Sequence, residues 1–270
     1  MLWVDANHVC PLTLSLSLYG EGTSDESSTP YVDVLYLDNH LLVVDKPAGM
    51  LSQEDRTGDL DVVTWAKAEI KQRFDKPGNV FIGLVHRLDR PVSGVMVLAR
   101  TSKAAGRLSD QFRRRAIDKR YLAVVEGSLQ GGGEAVDWLV KGKGGTVRRV
   151  PPNTDGAKEA RLRWRPLADA DLRFASTAQH TLVEVELMTG RAHQIRVQLS
   201  GMGTPIVGDL RYGASGPLGD GRGIALHAVR LTLDHPTRKE PMTWVSAPPS
   251  RWRGLLDAEV ARAVADQAAR

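Results

Sequence analysis

The chain has 270 residues, 42% hydrophobic and 25% charged, the make-up of a globular protein with one large domain or two small ones. No apolar run approaches the roughly 18 residues a membrane helix needs, so no membrane partner is expected. The net charge of +4 is unevenly spread: residues 1–60 hold ten acidic and two basic residues, and the remainder 34 basic and 22 acidic. A basic body favours a polyanionic partner, although a solvated basic surface has the same composition.

Residues 1–20 are mildly apolar, but Asp5 and the lack of a basic leader argue against a signal peptide. The single cysteine, Cys10, allows neither an internal disulfide nor a cysteine-based metal cage, which fits a reducing cytoplasm. GEGTSDESSTP (20–30) is polar and acidic, so residues 1–30 read as a flexible lead-in. VDVLYL (32–37) and LLVVD (41–45) read as two strands around Asp38 and Asn39. Val62, Val63, Ala66 and Ile70 recur at helical spacing. Val95–Ala99 is a buried strand, and Ser102 is the expected N-cap of a helix carrying Ala104, Ala105, Leu108 and Phe112. YLAVVEG (121–127) is a further strand.

Glycine and basic residues fill 131–156, which reads as a mobile region or loosely formed hairpin; its GK at 142–143 lacks the spacing of a phosphate loop. LVEVELM (182–188) and HQIRVQL (193–199) are expected as strands around the turn Thr189-Gly190-Arg191, and VRLTLD (229–234) as another. Leu256, Val260 and Val264 mark a C-terminal amphipathic helix over 251–270. Many strands with irregular connections indicate an α+β fold, with 31–250 as one domain.

The chemistry-bearing residues concentrate in two clusters. In His86-Arg87-Leu88-Asp89-Arg90 positive charge on both sides of Asp89 favours its anion, which can act as nucleophile or base. An Asp between two Arg residues is also an ordinary structural ion-pair network. In Thr189-Gly190-Arg191-Ala192-His193-Gln194-Ile195-Arg196, a buried Arg196 needs a carboxylate partner. His86 and His193 suggest no third metal ligand, and Asp59 and Asp61 fit helix capping better than a carboxylate pair.

LLVVDKPAGM (41–50), HRLDR with SG (86–94), DKRYLAVVEG (118–127), TGRAHQIRVQL (189–199), GTPIVGDLRYG (203–213) and LHAVRLTLDHP (226–236) together resemble the RluA family of RNA pseudouridine synthases, in the family's order. The resemblance implies a mixed, largely antiparallel bifurcated sheet with flanking helices and loops around an RNA cleft. It implies Asp89 as catalytic aspartate, Tyr121 as the tyrosine that stacks on the target base and can take part in proton removal, and Arg196 as the basic partner of Asp89. His86, Arg87, Arg90, Lys119, Arg191, His193 and Gln194 follow as substrate-binding residues. Val92 stands where the family often has Thr, so a hydroxyl contact is missing there. Some relatives carry a small RNA-binding domain ahead of the catalytic one; the acidic segment 1–30 does not match it.

The implied activity is isomerisation of uridine to pseudouridine in ribosomal or transfer RNA, by a cytoplasmic monomer with no obligatory protein partner, cofactor or metal. The alternative is a catalytically inactive RNA-binding protein using the same cleft. A carboxylate-dependent glycoside hydrolase or nucleosidase would need a second placed carboxylate, and none stands beside Asp89 in the sequence.

Overall fold

The computed structural model describes residues 31–170 and 179–270; the expectations for residues 1–30, Cys10 included, lie outside them. Eleven strands form one sheet: β1 (Asp33–Leu37), β2 (Leu41–Lys46), β3 (Gly83–Leu84), β4 (Ser93–Ala99), β5 (Asp118–Glu126), β6 (Gly133–Lys141), β7 (Val147–Val150), β8 (Lys158–Ala170), β9 (His180–Leu187), β10 (Leu226–Asp234) and β11 (Pro241–Val245). Among the described residues four α-helices flank it: α1 (Val62–Arg73), α2 (Ser102–Arg113), α3 (Gln194–Gly201) and α4 (Asp257–Ala269).

The strand order is β1-β2-β4-β10-β5-β9-β8-β6-β7, with β3 on β4 and β11 on β10. All pairings are antiparallel except β4 with β10, where Ser93 faces His227 and Gly94 faces Ala228. The sheet forks at β10, whose first residues meet β4 while Arg230–Asp234 pair with β11. Gly94 makes that contact possible. At φ 122 it lies where L side chains rarely go, and a Cβ there would sit 2.4 Å from the Ala228 carbonyl oxygen.

Strands β2 and β4 are apolar without alternation because both faces are covered. Leu42, Val44, Met96 and Leu98 enter the main core, while Leu41, Val43, Val95 and Val97 join Ala104 and Leu108 of α2 in a second core. Asp61 caps α1 by accepting from the Val63 and Thr64 amides at 2.9 and 3.2 Å, a contribution of about 1 kcal/mol. The cap of α2 is Thr101, whose hydroxyl accepts from Ala104 N at 3.2 Å; Ser102, the expected cap, is the first helical residue. Helix α4 begins only after Leu256, which is left-handed at φ 58, so residues 251–256 of the expected helix lie outside it; it buries Val260, Ala263 and Gln267.

Residues 131–156, read as a mobile region or a loosely formed hairpin, contain a hairpin: β6 pairs with β7 from Trp138↔Val150 to Lys141↔Val147, and with β8 along its other edge. One expected strand is corrected. Residues 194–201 are helical, not extended. The alternation of Ile195, Val197 and Leu199 with polar residues reads as a strand; Arg196 is buried as expected, but on a helix in which every residue from Gln194 to Leu199 is buried. The polar ones are inside with partners: Gln194 with Thr189, Arg196 with Asp209, and Gln198 with Asp137.

Candidate active site

Asp89 sits in the connection between β3 and β4, and that connection is tied down at several points. Ser52 Oγ donates to the Leu88 carbonyl at 2.7 Å and accepts from the Leu88 amide at 3.1 Å. The Gly49 amide donates to the Arg90 carbonyl at 2.8 Å, and the Val92 amide to the Asp89 carbonyl at 3.0 Å. The fully buried Lys46, last residue of β2, sends its ammonium to the carbonyls of Pro47 (2.9 Å), Met50 (2.8 Å) and Arg90 (3.3 Å). Burial pulls that ammonium down to about 7, against the charges of Asp89 and Asp45, which favour protonation. Val92, without a hydroxyl, packs in the main core.

Arg196 reaches Asp89 from α3 across 107 positions of sequence, with Nη1 3.4 Å from Oδ2. Its two-pronged partner is another residue, Asp209, whose buried carboxylate accepts from Nε at 2.7 Å and Nη2 at 2.8 Å. The guanidinium is thereby oriented before it meets Asp89. The two arginines beside Asp89 in sequence turn elsewhere. Arg90 pairs with Asp59 at 2.6 Å and donates to the Gly49 carbonyl, and Arg87 is exposed, 3.4 Å from Gln53. Proximity in sequence therefore does not set the electrostatics of Asp89; tertiary structure does.

Tyr121, on β5, is 7% exposed and lines the same cleft. Burial first, and the charge of Asp89 second, push its hydroxyl well above the usual phenol range, so the side chain stays neutral. The cleft measures about 1010 Å³ and all ten site residues expected from the sequence line it. Nine lysines and arginines and three carboxylates face it, an excess of positive charge suited to phosphate. Lys119 is half-buried with no hydrogen-bond or ion-pair partner among the described residues; burial, then Arg115, lowers its pKa, while Asp118 opposes.

Other residues of the set act on their neighbours. His86 Nε2 accepts from the Val97 amide at 2.9 Å and its ring stacks on Phe112 at 4.7 Å, with burial pushing its pKa down to about 3. Gln194 Oε1 accepts from Thr189 Oγ1 (2.7 Å) and the Arg191 amide (3.0 Å), closing the turn before α3. Arg191 Nε donates to the Glu159 carbonyl at 2.8 Å. Among the described residues no group of three or more His, Cys, Asp or Glu is placed to hold a metal. The sequence places Lys46 and Asp209 within the blocks 41–50 and 203–213 without marking them individually, and gives no role to Ser52 or Tyr212. Lys46, a charge closing an apolar run, and the Gly208-Asp209 step were the available signals.

A family model described as RNA pseudouridylate synthase matches residues 40–201. The chain is 35% identical over 237 residues to the ribosomal large subunit pseudouridine synthase D of Pseudomonas aeruginosa, covering 83% of this chain and 71% of that protein. It is 34% identical over 242 residues to the tRNA pseudouridine synthase C of Pectobacterium carotovorum subsp. carotovorum, spanning 83% of this chain and 61% of that protein's length. Among solved structures, human RNA Pseudouridylate Synthase Domain Containing 4 superposes with a TM-score of 0.67 at 25% identity, over 85% of this chain and 93% of that one. The chain belongs to the RNA pseudouridylate synthase family, in its RluA branch.

Proposed function

We propose that this protein isomerises uridine to pseudouridine in ribosomal or transfer RNA, with Asp89 as the catalytic carboxylate. The observation that carries the reading is the convergence of Asp89, Tyr121 and the oriented Arg196 in one basic cleft. Asp89 is chemically able to attack the anomeric carbon of the target uridine or to take the neighbouring sugar proton. Either route breaks the bond from sugar to base nitrogen. The freed uracil turns against Tyr121 and rejoins through carbon 5, which then loses its proton. Arg196, held by Asp209, keeps Asp89 aimed. A uridine must leave its stack to enter, so the cations around the mouth grip the flanking backbone while the base is splayed out. Arg87, Lys119 and Arg191 are the cations we assign to that grip, with His193 beside the base. His86 and Gln194 shape the wall, and Arg90 acts on the loop.

RNA recognition then rests on residues 31–250. We expect the protein to work as a monomer in the cytoplasm without an added group, and deletion of residues 1–28 to leave turnover intact. The test of the activity is tritium release from ribosomal and transfer RNA labelled at carbon 5 of uridine. Release by the wild type and none by Asp89→Asn supports the reading; RNA binding without release from either pool favours the inactive RNA-binding protein.

A further inference from the structure

Tyr212 stands where the β6–β7 hairpin, α3 and the Arg196–Asp209 pair meet, and its hydroxyl bonds a neighbouring histidine. The Val147 amide of β7 donates to Tyr212 Oη at 3.1 Å, and a backbone amide can only donate. Tyr212 Oη is also 2.7 Å from His193 Nδ1. The phenol has one hydrogen of its own, and His193 Nδ1 is its acceptor among the described residues. With Val147 already donating to Tyr212 Oη, a chain that runs on from the phenol hydrogen to His193 Nδ1 pairs both groups and favours the imidazole hydrogen on Nε2. The Arg196 guanidinium lies 5.0 Å from the centre of the Tyr212 ring and makes the phenol a better donor. His193 itself is held at φ 52, ψ 21 immediately before α3, a left-handed conformation that a residue with a side chain adopts at a cost. It lines the cleft with Asp89, and no described group bonds its Nε2.

We propose that His193 is a further catalytic residue, which gives the departing uracil a hydrogen bond from Nε2–H, and that Tyr212 is the positioning residue that fixes this tautomer. The inference rests on the pseudouridine synthase reading above. When the bond from sugar to N1 breaks, its electron pair goes to the uracil ring and spreads onto the carbonyl oxygens. A neutral donor strengthens its bond as that charge develops and relaxes when carbon 5 takes the sugar; no proton changes hands at the histidine. Arg196 is less available for this, since Asp209 and Asp89 take three of its five N–H donors. The ring stays neutral because burial, and then the charges of Arg196 and Arg211, lower its pKa against the opposing pull of Asp89 and Asp209.

The test combines nitrogen NMR of the ¹⁵N-histidine-labelled full chain with single turnover on ribosomal and transfer RNA carrying tritium at uridine carbon 5. Wild type is expected to show His193 as the Nε2–H tautomer. Tyr212→Phe keeps the ring over Arg196 but loses the hydroxyl; it should shift His193 towards a tautomer mixture. Its turnover should drop about 10-fold or more, with RNA affinity within about twofold of wild type. Independently of that variant, His193→Gln, which keeps a neutral N–H donor, should turn over about 10-fold faster than His193→Phe. An Nδ1–H tautomer in the wild type, unchanged turnover in Tyr212→Phe, or equal rates for the two His193 variants overturns the proposal. If the wild type releases no tritium, the uridine-isomerase reading falls and the donor role with it. An active wild type with unaffected variants removes the donor role alone.

Discussion

The ammonium of Lys46 and the carbonyl of Arg90 are 3.3 Å apart across 44 positions of sequence, so the end of β2 holds the loop that presents Asp89. Lys46→Met removes the charge and leaves the Pro47, Met50 and Arg90 carbonyls short of a donor. Leaving buried acceptors unpaired costs on the order of 1–3 kcal/mol each, offset by relief from burying an ammonium. The expected outcome is a kcat at least tenfold lower with RNA affinity little changed, read by single-turnover kinetics beside a binding titration. Full activity would show that the loop holds its shape without this tether.

Asp89→Asn keeps the size of the side chain and its place beside Arg196 but lacks the carboxylate. Isomerisation should fall below detection while RNA binding stays within a few-fold of wild type. Turnover near wild type would remove Asp89 from the chemistry.

Arg196→Ala strands Asp209, which is 1% exposed, without its two-pronged partner. Breaking a buried pair from one side costs about 3–5 kcal/mol. Urea denaturation should therefore show a marked loss of stability alongside the loss of activity. The double variant Arg196→Met with Asp209→Leu should recover most of the stability and none of the turnover. An Arg196→Ala protein as stable as wild type would contradict the pairing.

His227 is fully buried between Ser93 Oγ (2.9 Å from Nδ1) and the Ser246 carbonyl (3.1 Å from Nε2), and burial pushes its pKa down to about 4. A folded pKa below the unfolded one means that the unfolded chain takes up the proton first. Stability is unaffected above about pH 6.5 and is lost as pH falls from there towards 4. The loss is about 2 kcal/mol by pH 5. Asp45 works in the opposite sense: burial raises it to about 7, so its contribution grows as pH falls from 7. The prediction is thus a difference between proteins. Unfolding free energy of His227→Gln, measured from pH 7 to 5, should fall less than that of wild type, and parallel curves would show that the ring does not titrate this way.

Much of the catalytic half was readable from the chain because its signals are local. The apolar runs of β2 and β4, the cap of α1 and the ordered motif blocks each carry their meaning within about ten residues, whereas the cap of α2 falls one residue before the expected Ser102. Helix α3 was misread because its polar residues are buried, and a period of two looks the same whether the polar side chains face water or partners. Strand β8 was passed over although Ala160, Leu162 and Trp164 alternate with Arg161, Arg163 and Arg165; the charge density and Pro166, where the register shifts, masked the pattern. All ten site residues meet in the cleft, and Arg196 lies beside Asp89 as the resemblance implies, but the other pairings were not accessible. That Asp209 holds Arg196, and that Arg90 turns to Asp59, are consequences of tertiary approach between segments the sequence keeps far apart.

The seam where Gly94 lies against Ala228 joins the two arms of the sheet, and the chemistry is assembled from both sides of the chain. Asp89 arrives just before β4, Tyr121 on β5, and Arg196 and Asp209 more than seventy residues later. During synthesis, a ribosome-bound nascent chain that has exposed only its first half owns a carboxylate and an aromatic ring but not the guanidinium that aims them. The cleft is therefore complete only once the segment carrying Arg196 and Asp209 has docked against the segments that carry Asp89 and Tyr121.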